Sequence, residues 1–367
     1  MRQDIEQCEI SIARLLSRKY CVLTNSGTSA LYLAYSVLEN KRPKVLLPAL
    51  MCVNPMWAVH YADKTPVFCD ITENTATINP DLVDSLLKKD KTIGMVVAVH
   101  LYGNPAAMAE LKSVCSKRGV LLIEDLAQAL GGTFDDGALF GSLGDCAIAS
   151  FGYSKILDVG VGGAFLTDDE SIAAGARCLQ RKFTGAISQD IQELTFMYRR
   201  LFYAIWECGQ KDSRFYKMFD DFPELFQSLF LRPLADGTAE NILHSLGSLK
   251  EEVYWRQKIA KIYVEALQEV SSIKFFTRRG GVPWRFTFRV PAEKRNHLLD
   301  RVRAAQYDIS SWYPSITQWT PSGREQGKEM FPVANKLERE VVNLWVGRDY
   351  TEDKALSLAK VIKEILE

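Results

Sequence analysis

Six short apolar runs in the first half of the chain, separated by stretches with helical periodicity, constrain the fold more than any other feature. The runs are 44–48 (KVLLP), 66–71 (PVFCDI), 95–101 (MVVAVHL), 120–124 (VLLIE), 146–151 (CAIASF) and 163–167 (GAFLT). Several are apolar at nearly every position, which a strand requires only when both of its faces are covered. Helices fit between them. One spans 28–38, with Leu31, Tyr35 and Leu38 at helical spacing, and a short one spans 55–61. Pro80 after Asn79 opens a third over 80–89, and Pro105 opens a fourth that Gly119 can terminate. The alternation predicts an α/β fold whose mostly parallel sheet carries helices on both faces.

The chain of 367 residues is long enough for this unit and a smaller partner. From about residue 250 the pattern becomes α+β: a charged helix over 250–269, a strand over 284–290 (WRFTFRV), a helix near 292–306 and a last helix after Thr351. The expected division is 1–245 and 246–367. Between 191 and 230 lie 11 aromatic residues in two helical stripes, Leu194, Tyr198, Leu201, Ile205 and Phe215, Phe219, Phe222, Phe226. Stripes at this spacing are expected to pack within the fold or across a dimer, with a lid or a membrane-facing surface as the sharper alternative.

Lysine plus arginine equals aspartate plus glutamate at 45 each, which removes any strong electrostatic case for nucleic acid or an anionic membrane. The eight cysteines show no CxxC pair, so neither a disulfide framework nor a zinc site is expected. No apolar run approaches membrane-spanning length, and the first residues, MRQDIEQCEI, lack the apolar core of a signal peptide. The expectation is a cytoplasmic protein that holds no metal.

Four segments carry chemistry. In NSGTSAL (25–31) a glycine and hydroxyl residues open a helix, where free amides and the Thr28 and Ser29 hydroxyls make a phosphate cradle. In EDLAQALG (124–131) two carboxylates end an apolar strand, where ligands bind in sheets of this kind, and Gln128 follows Asp125 three residues on. A carboxylate there can hold a proton on a heteroaromatic nitrogen. In SFGYSK (150–155) Lys155 follows a strand and a glycine turn, a place for a Schiff-base lysine. In GVGGAFLT (160–167) the glycines lead into a strand rather than a helix, so they read as a tight turn and not as a dinucleotide fingerprint. A phosphate, a protonated ring nitrogen and an imine together describe pyridoxal 5′-phosphate.

The chain resembles the DegT/DnrJ-type sugar aminotransferases, a branch of the fold-type-I pyridoxal phosphate enzymes. The matching segments run in family order over about 20–185: NSGTSAL, Pro48 with PVFCDI, VHLYGNPA (99–106), IEDLAQALGG (123–132), GSLGDCAIASF (141–151), Lys155 and GGAFLT (162–167). Weaker similarity continues from Arg256 to NLWVG (343–347). The resemblance implies that Gly27, Thr28, Ser29 and Ser150 surround the cofactor phosphate. It also implies that Asp125 pairs with the ring nitrogen, Gln128 supports the ring-oxygen side and Lys155 forms the Schiff base. It implies, further, a homodimer and transfer of an amino group from an amino acid, by family habit glutamate, to a keto sugar linked to a nucleotide. Dehydration or another lyase reaction is the alternative with the same cofactor, and a non-catalytic cofactor-binding regulator is the third.

The sequence departs from the family at several points. Cys52 stands where a ring-stacking aromatic is common, with Trp57 about a helical turn further on. Leu130 replaces a histidine, and Val161 replaces the glutamate of GEGG. The asparagine–arginine segment that a neighbouring subunit lends to the phosphate is not recognisable, and 236–238 is its nearest gapless match. The aromatic stretch replaces or displaces it.

Overall fold

A computed structural model describes residues 2–38, 41–184, 188–277 and 280–367. The first half builds a seven-stranded sheet from β1 (Tyr20–Thr24), β2 (Lys44–Pro48), β3 (Thr65–Cys69), β4 (Ile93–Val99), β5 (Leu121–Asp125), β6 (Cys146–Ser150) and β7 (Gly163–Thr167). Their order across the sheet is β1-β7-β6-β5-β4-β2-β3. Only β7 runs against the rest, antiparallel to both β6 and β1, so the glycines before it do lead into a returning strand. The mostly parallel sheet anticipated from the apolar runs is present, with boundaries shifted by at most two residues.

Helices α1 (Arg2–Leu15), α2 (Gly27–Val37), α3 (Asn54–Tyr61), α4 (Pro80–Lys89), α5 (Met108–Ser116) and α6 (Glu170–Gln180) surround this sheet. Alternation along β4 sends Met95, Val97 and Val99 into one apolar core and Val96 and Ala98 into another, and a register shift before Met95 puts Ile93 with the latter, which is why the strand is apolar throughout. Helix α4 starts as its sequence predicts: Pro80 follows Asn79, whose side chain accepts from the Asp81 and Leu82 amides. Helix α5 starts three residues later than Pro105 suggests. The Ala106 amide instead donates to His100 Nδ1 at 3.0 Å, and Asn104 Nδ2 donates to the Thr75 carbonyl at 2.8 Å, which holds this stretch out of the helix. Helix α1, with Ile5, Cys8, Ile12 and Leu15 at helical spacing, and strand β1 add to the elements expected from sequence.

The aromatic segment forms α7 (Ser188–Lys211), a 3₁₀ stretch (Ser213–Asp220) and α8 (Phe222–Phe230). Then come α9 (Thr238–Leu246) and α10 (Leu249–Leu267). A second, antiparallel sheet of order β10-β11-β9-β8 is made by β8 (Lys274–Phe275), β9 (Phe286–Arg289), β10 (Ile309–Ser310) and β11 (Val341–Leu344). It packs with α10, α11 (Ala292–Ala304) and α14 (Glu352–Leu366) in a core of its own. Helices α12 (Pro321–Gln326) and α13 (Pro332–Glu340) complete the chain, and the latter leans on the large core through Ala334 and Leu337. Among the described residues no helix is long and apolar enough to cross a membrane.

Candidate active site

The parallel strands end at one rim, and a cleft of about 470 Å³ opens there. Gly27, Thr28, Asp125, Gln128, Ser150 and Lys155 line it together, and of the residues expected from the resemblance to hold the cofactor only Ser29 does not.

At one end of the cleft, helix α2 begins. Ser26 caps it, its hydroxyl accepting from the Ser29 amide at 3.1 Å. The Gly27 and Thr28 amides have no carbonyl one turn back in the helix, so donors and the positive end of the helix dipole face this end. A Cβ on Gly27 would lie 2.9 Å from Ser150 Cβ, too close for any side chain. Only glycine lets α2 and the end of β6 come together. Thr28 Oγ1 accepts from Asn54 Nδ2 at 3.0 Å, a positioning contact that sequence reading missed.

Ser29 serves the frame instead. Its hydroxyl is fully buried and donates to the Phe230 carbonyl at 2.7 Å. The i, i+1 step from Thr28 turns it about 100° around the helix, so the two hydroxyls cannot face one ligand.

Strand β5 ends in two carboxylates that alternation sends to opposite faces. Asp125 faces the cleft, is 2% exposed, and one of its oxygens accepts from the Ala127 amide at 2.8 Å. Burial pushes its pKa up, opposed by the Ala127 amide and by the charge of Lys155. Glu124 faces away and staples a loop. Its oxygens accept from the amides of Gly141 (2.7 Å), Leu143 (3.1 Å) and Gly144 (3.0 Å). His100 Nδ1 accepts the Ala106 amide, so the ring proton sits on Nε2 and points at Glu124 Oε1, 3.0 Å away. Gln128 Oε1 accepts from the Tyr102 amide at 2.9 Å, which leaves its NH₂ as the group available to the cleft.

Lys155 lies in the turn between β6 and β7. Ser154 before it holds a left-handed conformation (φ 60°), fixed from both sides. Asp158 accepts from the Ser154 amide at 2.7 Å and from the Gly160 amide at 2.9 Å, while Trp284 Nε1 donates to the Ser154 carbonyl at 2.6 Å. Among the described residues no carboxylate forms an ion pair with the Lys155 ammonium; Asp125 and Cys52, on the same cleft wall, interact with it through charge.

The roof comes from the aromatic segment. Tyr198, Phe202 and Tyr203 of α7 line the cleft, together with Trp312, Tyr313 and Trp319 of the C-terminal half. Trp206 stacks on Trp312 at 5.3 Å and Phe219 on Trp319 at 4.5 Å, so the segment bridges the two halves of the molecule. Trp57, one turn beyond Cys52, is buried in the core under this roof, stacked on Phe222 at 5.3 Å. It does not line the cleft and does not take the place of a ring-stacking residue. Residues 236–238 lie outside the cleft as well. Arg285, from the strand read as WRFTFRV, does line it, held between the rings of Trp284 (4.3 Å) and Trp345 (3.9 Å). Burial lowers its pKa to about 10. The two arginines of WRFTFRV were the available signal, but nothing in the string says that Arg285 and not Arg289 meets the cleft.

This geometry matches a known family. The sequence model of the DegT/DnrJ/EryC1/StrS aminotransferase family matches residues 2–196 and 233–365, and the chain belongs to that family. GDP-perosamine synthase of Caulobacter vibrioides is 34% identical over 178 residues, 48% of this chain and 47% of that protein. The aligned stretch spans less than half the length of the first curated relatives it matches. The dTDP-3-amino-3,4,6-trideoxy-alpha-D-glucose transaminase of Micromonospora megalomicea is 34% identical over 377 residues, 99% of this chain and 90% of that protein. A crystal structure of DesI in the presence of its TDP-sugar product superposes with a TM-score of 0.79 over 99% of this chain and 84% of that one, at 23% identity, which shows the shared fold.

Proposed function

We propose that the protein is a pyridoxal-phosphate-dependent aminotransferase that moves an amino group from an amino acid, glutamate by family habit, to a keto sugar linked to a nucleotide. The observation that carries this reading is the meeting of Lys155, Asp125 and the amide-bearing start of α2 in one cleft. The residues fit the cofactor. The close approach that Gly27 permits joins helix amides and the Thr28 and Ser150 hydroxyls into an oxyanion cradle. Asp125 is a buried carboxylate in need of a cation. When bound, pyridoxal phosphate supplies a carbonyl that captures the amine and a ring that withdraws electrons from it.

The chain's own residues do the rest. Thr28, the Gly27 amide and Ser150 bind the phosphate. Asp125 holds a proton on the ring nitrogen, its negative charge stabilising the cation in a dry site. Gln128, its carbonyl already occupied by Tyr102, donates its NH₂ toward the ring-oxygen side. Lys155 would hold the cofactor through its amine and, when that amine is free, would move a proton from the donor's α-carbon. Its retention favours amino transfer over loss of water from the sugar. The aromatic roof excludes water from these transfers and offers faces on which a sugar ring and a base can lie.

The same proposal includes a large part (1–245) that binds the cofactor, a smaller C-terminal part (246–367), a homodimer and a cytoplasmic location, where nucleotide-linked sugars are made. Light scattering of the purified protein tests the dimer. The central test is spectroscopic. Purified protein with pyridoxal phosphate is expected to show a visible imine band that borohydride fixes on Lys155, and Lys155→Ala should lose both band and label. An unchanged band in that variant overturns the assignment. Transfer of labelled nitrogen from glutamate to a panel of nucleotide-linked keto sugars tests the reaction.

A further inference from the structure

The phosphate end of the cleft is built from neutral groups: helix amides, Thr28 and Ser150. A dianion enclosed there calls for a counter-charge, and Lys155 is committed elsewhere. Arg232 lines the same cleft. It is 7% exposed, and among the described residues no carboxylate pairs with it. An arginine is not buried without a partner by default, because desolvating a guanidinium is costly.

Its place is fixed by the start of α2. With the Asn25 amide oriented to satisfy its neighbours, the nitrogen donates to the Phe230 carbonyl at 2.8 Å and the Arg232 carbonyl at 3.1 Å. The Asn25 oxygen accepts from Arg232 Nε at 3.1 Å. Ser29 Oγ donates to the Phe230 carbonyl at 2.7 Å. Residues 25–29 therefore clasp residues 230–232 on both sides. Nε is used in this clasp, which leaves the two terminal nitrogens of the guanidinium to bind an anion as a fork.

The stretch that the family model leaves unmatched runs from 197 to 232, and Arg232 is its last residue. We infer that Arg232 is a phosphate-binding residue of the cofactor site, supplied by this stretch from within the same chain. The inference rests on the cofactor reading above and deepens it. The unmatched stretch then has two roles: a roof over the cleft and a charge at its phosphate end. Both arrive with the fold of a single subunit.

The test compares pyridoxal phosphate with pyridoxal, which has the same aldehyde and ring and no phosphate. Binding of each is titrated by absorbance to wild type, Arg232→Met and Arg232→Lys, with folding checked by thermal melting. Arg232→Met is expected to bind pyridoxal phosphate at least tenfold more weakly while its affinity for pyridoxal changes less than twofold. Arg232→Lys, which keeps charge but not the fork, should fall between and remains informative if the methionine variant does not fold. Inorganic phosphate should compete with pyridoxal phosphate on wild type and lose most of that effect on the variants. Equal losses for both ligands, or no loss for either, overturn the inference, because they mean that Arg232 only supports the frame or does nothing. Failure of wild type itself to bind pyridoxal phosphate is a different result, and overturns the cofactor reading.

Discussion

Two adjacent carboxylates at the end of β5 look alike in sequence and do opposite things. Asp125 faces the cleft, whereas Glu124 is consumed by backbone amides and His100. Burial alone pushes Glu124 up, but His100 and the Gly141 and Gly144 amides outweigh it and hold its pKa below the ordinary glutamate value of 4.5. A carboxyl so depressed contributes stability that is complete above its unfolded pKa and is lost as pH falls through the folded one. Glu124→Gln puts a donor where those amides need an acceptor, so it is expected to cost about 3 kcal/mol at neutral pH. It should also flatten the acid limb of stability below about pH 4.5. Urea denaturation from pH 7 downward measures both, and a variant as stable as wild type with the same acid limb would contradict the stapling role. Nothing in the string IED distinguishes the two carboxylates except their parity along the strand. Parity says that they face apart, not which face holds the cleft.

At the scale of elements, strand ends and helix starts were legible because they depend on local chemistry. Pro80 after Asn79 opened α4 as read, and Lys155 fell in a glycine-bearing turn at a strand's end. The aromatic stripes of 191–230 were legible as helices and not as a roof, since their partners Trp312 and Trp319 lie about a hundred residues further on. The packing expected of such stripes holds except at Phe215, which is exposed: the others are buried or half-buried, and Tyr198 is part of the cleft wall. Trp319 carries the argument for the roof. It is 1% exposed and stacks on Phe219 at 4.5 Å, with Phe202 at 5.8 Å and Tyr216 at 5.6 Å. Trp319→Ala should cost about 3–5 kcal/mol in chemical denaturation, the range for emptying a large aromatic site. A loss under about 1 kcal/mol would mean that the roof collapses onto the gap and is not a packed element.

Across the whole molecule, polar contacts tie the end of β3 to the C-terminal half, and one of them, Glu73 with Arg289, joins the two cores. Glu73, in the loop after β3, accepts from Arg289 of β9 at 2.6 Å and from Lys336 of α13 at 2.7 Å. Asp70, at the end of β3, accepts from the Val333 and Ala334 amides at 2.9 Å each and so caps the start of α13. Lys336 and Arg289 hold the Glu73 pKa down at about 2, from an ordinary 4.5. Its contribution is therefore present at neutral pH and fades as pH falls from 4.5 toward 2. Glu73→Gln is expected to reduce the pH dependence of the melting temperature in that window while changing little above it in shape. The residue is partly exposed, so the effect should also shrink in high salt. An acid profile identical to that of wild type would show that the bridge does not couple the two cores.

The sequence alone determined what short-range physics controls. Doubly covered strands must be apolar, a helix start needs a cap, and a phosphate, a ring nitrogen and an aldehyde call for residue types that stood in the right order. That was enough for the fold class and for singling out Thr28, Asp125, Gln128, Ser150 and Lys155, which the structure brings to one cleft. Only the tertiary structure decided which hydroxyl of Thr28 and Ser29 faces the cleft, because helix phase is set by packing against β6 and by the clasp on Phe230. It alone placed the aromatic segment over the cleft and Arg232 in the cleft wall beside the start of α2. Those contacts join residues some two hundred positions apart, and no local pattern encodes which distant partner a side chain will meet.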